Sequence, residues 1–157
     1  RKAFEKCTSL NKVDLGSITD IGVDVFEGCT SLTEITIPKT LTSTRNGPAL
    51  NNPNITKITL EEGLTRVPSN LCANTGITEI TMPSSVTEIG AYAFSDCASL
   101  EKITILDNVT EMGYYNTRDE DSVFENHMTN HEKDVVTLKE LTPSWWGESR
   151  YTRKEEE

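Results

Sequence analysis

Apolar residues recur along this chain on a fixed clock, with polar residues filling the gaps between them. One apolar position falls at Leu10, Leu32, Ile55, Ile77 and Leu100, giving spacings of 22, 23, 22 and 23. A second keeps the same beat at Val13, Ile35, Ile58, Ile80 and Ile103, and a third at Ile21, Thr44, Val67, Ile89 and Met112, with one polar lapse. Such a period is the signature of a repeat architecture and takes precedence over local propensity. Within each unit the pattern Leu-x-x-Ile-x-Ile turns three side chains inward and leaves polar residues between them, which predicts a short strand. Pro38 and Pro83 end that strand, and a second segment follows, as in Val86–Gly90. An Ala-Phe-x-x-Cys stretch then returns the chain to the next strand. One coil of about 22 residues cannot bury its own apolar face, so the core must form between stacked coils at roughly 4.8 Å per step.

The fullest copies are Val25-Phe26-Glu27-Gly28-Cys29-Thr30-Ser31-Leu32-Thr33-Glu34-Ile35-Thr36-Ile37-Pro38 and Ala93-Phe94-Ser95-Asp96-Cys97-Ala98-Ser99-Leu100-Glu101-Lys102-Ile103-Thr104-Ile105. Weaker ones begin at Ala3-Phe4 and Leu71-Cys72. These segments resemble the BspA-like leucine-rich repeats, whose unit reads approximately I-G-x-x-A-F-x-x-C-x-S-L-x-x-I-x-I-P. The resemblance covers about residues 3–113, with a fainter echo to about 138. It implies a leucine-rich repeat solenoid of short parallel strands, secreted or attached to a cell surface, acting in adhesion or protein recognition. The third unit departs from the pattern: Ala49-Leu50 replaces Ala-Phe and Pro53 takes the Cys place, which predicts an outward bulge. The expected organisation is about five coils over 1–113, an expanded last repeat and cap over 114–146, and a disordered tail over 147–157.

Stacking lines up Lys12, Glu34, Lys57, Glu79 and Lys102 on the solvent side of the first strand, with alternating sign. This reads as a self-neutralising ladder that fixes register, or else as a recognition stripe. Beside it run Asp14, Thr36, Thr59, Thr81 and Thr104, and elsewhere Thr19, Thr42, Thr65, Thr87 and Thr110, β-formers suited to a half-exposed sheet or to a ligand platform. Cys7, Cys29 and Cys97 share one repeat position, and Cys72 takes the place of Phe26 and Phe94. They read as small inward packers with free thiols, although Cys7 and Cys29 fall on successive coils where a bridge is geometrically allowed. No Cys-x-x-Cys pair exists, which excludes a zinc ribbon.

Composition narrows the function classes. The chain has 157 residues, 25 acidic against 15 basic, for a formal net charge of −10. That balance argues against nucleic acid, whose phosphates need clustered Lys and Arg, and against insertion at anionic membranes. No apolar run reaches the ~18 residues of a membrane span. No Gly-rich phosphate loop, Gly-x-Ser-x-Gly elbow or triad is present, so no enzyme and no cofactor are implied.

Two stretches break the clock: Thr44–Asn54, rich in Gly, Pro and Asn, and Tyr114–Asp134, about ten residues longer than the repeat allows. His127 and His131 in the latter stand four apart, with Glu125, Glu132 and Asp134 nearby, but lack the Glu of a His-Glu-x-x-His motif and read as solvated loop residues. Asp119-Glu120-Asp121 reads as a solvated acidic turn rather than a calcium loop. Function in repeat proteins collects in insertions, so Tyr114, Tyr115, Arg118, Trp145 and Trp146 are the candidate partner-binding residues. The two tryptophans are alternatively the cap of the last open core, or a sugar-stacking pair. The leading expectation is a noncatalytic interaction module for an extracellular or host protein, the alternative a structural spacer in a larger surface protein. No N-terminal cap is visible before Ala3-Phe4, so further coils are expected upstream, and the open first coil offers a face for end-to-end self-association.

Overall fold

A computed structural model describes residues 1–104, Val109 and the backbone of Glu111–Met112. The chain coils through two series of short parallel strands. In one series lie β2 (Glu34–Ile37), β4 (Lys57–Leu60), β6 (Glu79–Thr81) and β8 (Lys102–Thr104). In the other lie β1 (Asp20–Ile21), β3 (Ser43–Thr44), β5 (Arg66–Val67), β7 (Glu88–Ile89) and β9 (Glu111–Met112). Every pairing is parallel and joins one coil to the next: β1 with β3, β2 with β4, β6 with β8, β5 with β7, and β7 with β9. The register sets Ile35 against Ile58 and Ile80 against Ile103, the same offsets as the sequence clock. The chain is a leucine-rich repeat solenoid.

Alternation of apolar and polar residues decides which face turns in. In β2 and β4 the burial alternates exposed, buried, exposed, buried, as a period of two requires on a sheet with one solvated face. Leu32, Ile55, Ile77 and Leu100 are completely buried, and Ile35, Ile58, Ile80 and Ile103 nearly so. A further column, Leu41, Leu64, Val86 and Val109, fills the opposite side of the same interior. Each such side chain contributes about 1.5–3 kcal/mol by leaving water. Phe26 and Phe94 anchor the turns, and Phe4 stacks on Phe26 with ring centroids 5.7 Å apart while keeping one face exposed. The polar lapse at Thr44 is satisfied because its hydroxyl donates to the Ser69 carbonyl.

The turns hold a second periodicity that the side chains do not announce. Lys6, Gly28, Asn51, Asn74 and Asp96 all have φ between 42° and 73°, and they fall 22 or 23 residues apart. These left-handed residues, with Lys2, Asp24, Asn70 and Tyr92 (φ 54–56°) four residues earlier in their turns, reverse the chain toward the next strand. At two steps the amides also link coils: Asn51 Nδ2 donates to Asp24 Oδ1 at 2.7 Å, and Asn74 Nδ2 to Asn51 Oδ1 at 2.6 Å.

Three expectations are corrected. Lys12–Leu15 does not form the strand that the repeat predicts. Asp14 Oδ1 accepts the Gly16 N–H at 2.8 Å, and this local turn, closed by a left-handed Gly16, competes with the ladder. The third unit does not bulge, since Ala49, Leu50 and Asn52 are all completely buried. Asn52, not Pro53, stands in the Cys column: its carbonyl accepts the Ile55 N–H at 3.0 Å, as the Cys29 carbonyl accepts Leu32 at 3.1 Å. The Asn52 amide donates to the Cys29 carbonyl at 3.0 Å, while its oxygen accepts the Asn54 N–H at 3.0 Å. Asn52→Ala is therefore expected to cost about 2 kcal/mol in urea unfolding, by removing the side chain's hydrogen bonds to the Cys29 carbonyl and the Asn54 N–H. Third, Cys7 is exposed and not an inward packer; Cys29, Cys72 and Cys97 are buried, and all four are free thiols.

The ladder is interrupted twice, both times at the third coil. β3 does not pair with β5, nor β4 with β6, although β4 and β6 lie side by side. At the second break Gly76 takes over, its N–H donating to the Ile55 carbonyl at 2.9 Å.

Candidate functional site

The first strand series presents a polar face three residues wide. Its central column, Glu34, Lys57, Glu79 and Lys102, is exposed, with Glu34 in register with Lys57 and Glu79 with Lys102. Thr33, Thr56, Thr78 and Glu101 line one side of it, and Thr36, Thr59, Thr81 and the half-buried Thr104 the other. The strands hold these side chains on a rigid pleat, because every intervening residue is anchored in the core.

The charges are spaced for mutual neutralisation, but loosely. Lys57 Nζ lies 3.9 Å from Glu34 Oε2, with both side chains about 70% exposed. Lys102 is the register partner of Glu79, without an ion pair closer than 4 Å among the described residues. Pairs this exposed contribute at most about 1 kcal/mol. Glu79→Lys is accordingly expected to lower stability by less than about 1 kcal/mol in a denaturant titration, by setting like charges side by side. Lys12 joins the column in sequence only, since its segment forms no ladder with β2.

The threonine column beside the second strands serves the fold instead. Thr42 Oγ1 donates to the Thr19 carbonyl at 3.1 Å and Thr87 Oγ1 to the Thr65 carbonyl at 3.2 Å, so these hydroxyls cap the preceding coil and are not free for a ligand. Ion pairs reinforce that edge: Arg45 Nε with Asp20 Oδ2 at 3.0 Å, and Arg66 with Glu88 at 3.1 Å. The Arg45 guanidinium holds the Asp20 carboxyl below the usual carboxylate range.

Where Lys12–Gly16 leaves the ladder, a shallow cleft of about 210 Å³ opens. Lys12, Asp14 and Leu15 form one wall, and Thr36, Pro38 and Glu61 the other. The repeat pattern gave no warning of it, because the signal lies in Asp14, which breaks the threonine column, and in Gly16 two residues on.

Among the described residues no three His, Cys, Asp or Glu side chains come together in a way that would hold a metal ion, and no helix is long and apolar enough to cross a membrane. Burial pushes the thiols of Cys29, Cys72 and Cys97 up, Cys72 most strongly, which favours the protonated form of each. Tyr114, Tyr115, Arg118, Trp145 and Trp146, together with His127, His131 and the Asp119–Asp121 turn, lie outside the described residues.

The family model of the BspA type leucine-rich repeat region matches residues 1–127 in six copies. The chain belongs to the BspA-type leucine-rich repeat family. This bears out the family resemblance carried by the Ile21–Pro38 and Ile89–Ile105 motifs, and the two strand series are the stacked edges of its repeats. No curated protein matches the chain. Solved structures similar to this BspA-type solenoid include a leucine-rich cell surface protein of Faecalibacterium prausnitzii, with 22% identity over 66% of this chain and a TM-score of 0.48. The chain spans 31% of that protein's length. A leucine-rich repeat protein of T. pallidum shares 19% identity over 86% of this chain and 82% of its own, at a TM-score of 0.40. One from Bacteroides ovatus shares 19% over 71% of this chain and 47% of its own, at 0.29.

Proposed function

We propose that this chain is a noncatalytic protein-interaction module of a secreted or cell-surface protein, and that it engages an extracellular or host protein through the polar face of β2, β4, β6 and β8. The observation that carries this reading is that face itself: exposed threonines flanking a column of alternating charge, repeated on four coils and held rigid by a continuous core. Interfaces of this kind gain affinity from many in-register polar contacts over an extended area rather than from one pocket. Alternating Glu and Lys select a partner with the complementary alternation and reject a uniformly charged one. Tyr114, Tyr115, Arg118, Trp145 and Trp146 are the proposed aromatic and basic anchors, large side chains of the type that dominates interface energies. Family membership supports both the interaction role and the surface location.

The test is capture of purified extracellular-matrix and serum proteins on the immobilised chain, repeated with the double variant Thr59→Arg, Thr81→Arg and with residues 114–134 shortened. Loss of captured protein with the double variant, at unchanged thermal stability, supports the strand face. Loss only with the shortened chain moves the contact to the insertion. Capture of nothing by the parent chain favours the structural spacer.

A further inference from the structure

Cys7 and Cys29 occupy the same turn position on the first two coils. The turns are clamped together by the backbone, Lys2 N–H to the Val23 carbonyl at 3.0 Å, Phe4 to Val25 at 3.0 Å and Lys6 to Glu27 at 2.7 Å. Cys29 Sγ lies 2.9 Å from the Phe4 carbonyl oxygen, the same oxygen that accepts the Cys7 N–H at 3.1 Å. The Cys29 sulfur therefore sits inside the turn that carries Cys7.

The fourth and fifth coils measure how close this column brings two side chains. Thr75 stands there where Cys7 stands, and Cys97 where Cys29 stands. Cys97 Sγ reaches the Cys72 carbonyl at 3.1 Å, as Cys29 Sγ reaches that of Phe4, and Thr75 Oγ1 lies 3.4 Å from Cys97 Sγ. Side-chain γ atoms of successive coils thus meet in this column with the backbone at its normal spacing. A disulfide needs Cα atoms about 4.4–6.8 Å apart, which the stacking distance of roughly 4.8 Å satisfies. Cys7 is exposed, so rotation about its Cα–Cβ bond completes the approach. Cys72 and Cys97 are fully buried and shielded from any oxidant.

We infer that Cys7 and Cys29 are a reversible disulfide site that staples the first coil to the second when the protein meets a small-molecule disulfide such as oxidised glutathione. The exposed Cys7, as thiolate, attacks one sulfur of the oxidant. This forms a mixed disulfide and expels one thiol. Cys29 gives its proton to water and attacks the Cys7 sulfur; the Cys7–Cys29 bond forms and the second thiol leaves. Two protein thiols are oxidised, one small disulfide is reduced to two thiols, and excess thiol runs the sequence backward. The bond acts where it is needed, because residues 11–15 form no strand ladder with β2 and border the cleft at Lys12–Gly16.

The full chain, purified reduced, is incubated with oxidised glutathione, then unfolded and alkylated. The expected result is two alkylated cysteines, Cys72 and Cys97, with a Cys7–Cys29 cross-linked peptide in the mass map. Amide exchange over residues 2–15 should slow by about tenfold or more and recover with dithiothreitol. Cys7→Ser is expected to fold, since Thr75 shows that a hydroxyl fits the position, and its exchange should not respond to oxidant. Four alkylated cysteines after oxidation, a stable glutathione adduct on Cys7, a link between two chains, or a bond to Cys72 or Cys97 would each overturn the inference.

Discussion

Ile80→Asp is expected to abolish the folded stack. Ile80 is 4% exposed, faces its register partner Ile103, and lies in a column whose other members are Ile35 and Ile58. No cationic or hydrogen-bonding side chain shares that column, so an aspartate there is either an unpaired buried charge or a protonated acid without a partner. Either costs about 4 kcal/mol or more, a large part of the 5–15 kcal/mol typical of a domain. Because each coil is buried only by its neighbours, the loss spreads along the solenoid. Circular dichroism should show no cooperative melt for Ile80→Asp, while Glu79→Lys, one residue away on the solvated face, melts close to the parent. A parent-like melt for Ile80→Asp would mean that this column does not face the interior.

The second large effect is expected at Gly76. A Cβ built there falls 2.1 Å from the Pro53 carbonyl oxygen and 3.2 Å from its carbon, and both are backbone atoms that cannot rotate away. The clash sits at the break between β4 and β6, where the Gly76 N–H holds the Ile55 carbonyl. Gly76→Ala must push the third and fourth coils apart at this point, which costs about 3 kcal/mol and lowers Tm by roughly 10 °C. Gly16→Ala is the control: a Cβ there meets nothing within 4 Å, and only the left-handed φ of 56° is penalised, by about 1 kcal/mol. Urea titrations of the two variants compare a backbone clash with a backbone preference alone. Equal losses would contradict the close approach of Gly76 to Pro53.

The solenoid was legible because burial repeats with the coil. Leu32, Ile55, Ile77 and Leu100 can be picked out by counting, and so can the exposed column of Glu34, Lys57, Glu79 and Lys102, which follows from alternation along each strand. What counting misses is geometry that different residue types share. Lys6, Gly28, Asn51, Asn74 and Asp96 have no common chemistry, and what joins them is a positive φ. Asn52 escapes because the third turn is one residue shorter between its apolar anchor and the Cys position, which sets Pro53 in the expected place by number while Asn52 fills it in space. The first coil misleads for a different reason. Val13 and Leu15 keep the strand alternation, but Asp14 bonds to Gly16 and a local turn wins over the ladder. Cys7 shares its position with Cys29, yet Cys29 is covered by the turn carrying Phe4 and Cys7 is exposed. The polar face was legible as columns of residue types, whereas the cleft at Lys12–Gly16 arises from the failed strand and has no periodic signature.

The central claim is that side chains one period apart touch. Methyl-labelled protein and nuclear Overhauser spectra test it directly through Ile35 with Ile58 and Ile80 with Ile103. The stacked coils predict strong cross-peaks within both pairs, since parallel neighbours stand about 4.8 Å apart, and none between Ile35 and Ile103, three coils apart. Absence of the Ile35–Ile58 and Ile80–Ile103 cross-peaks in a folded sample would contradict the shared interior.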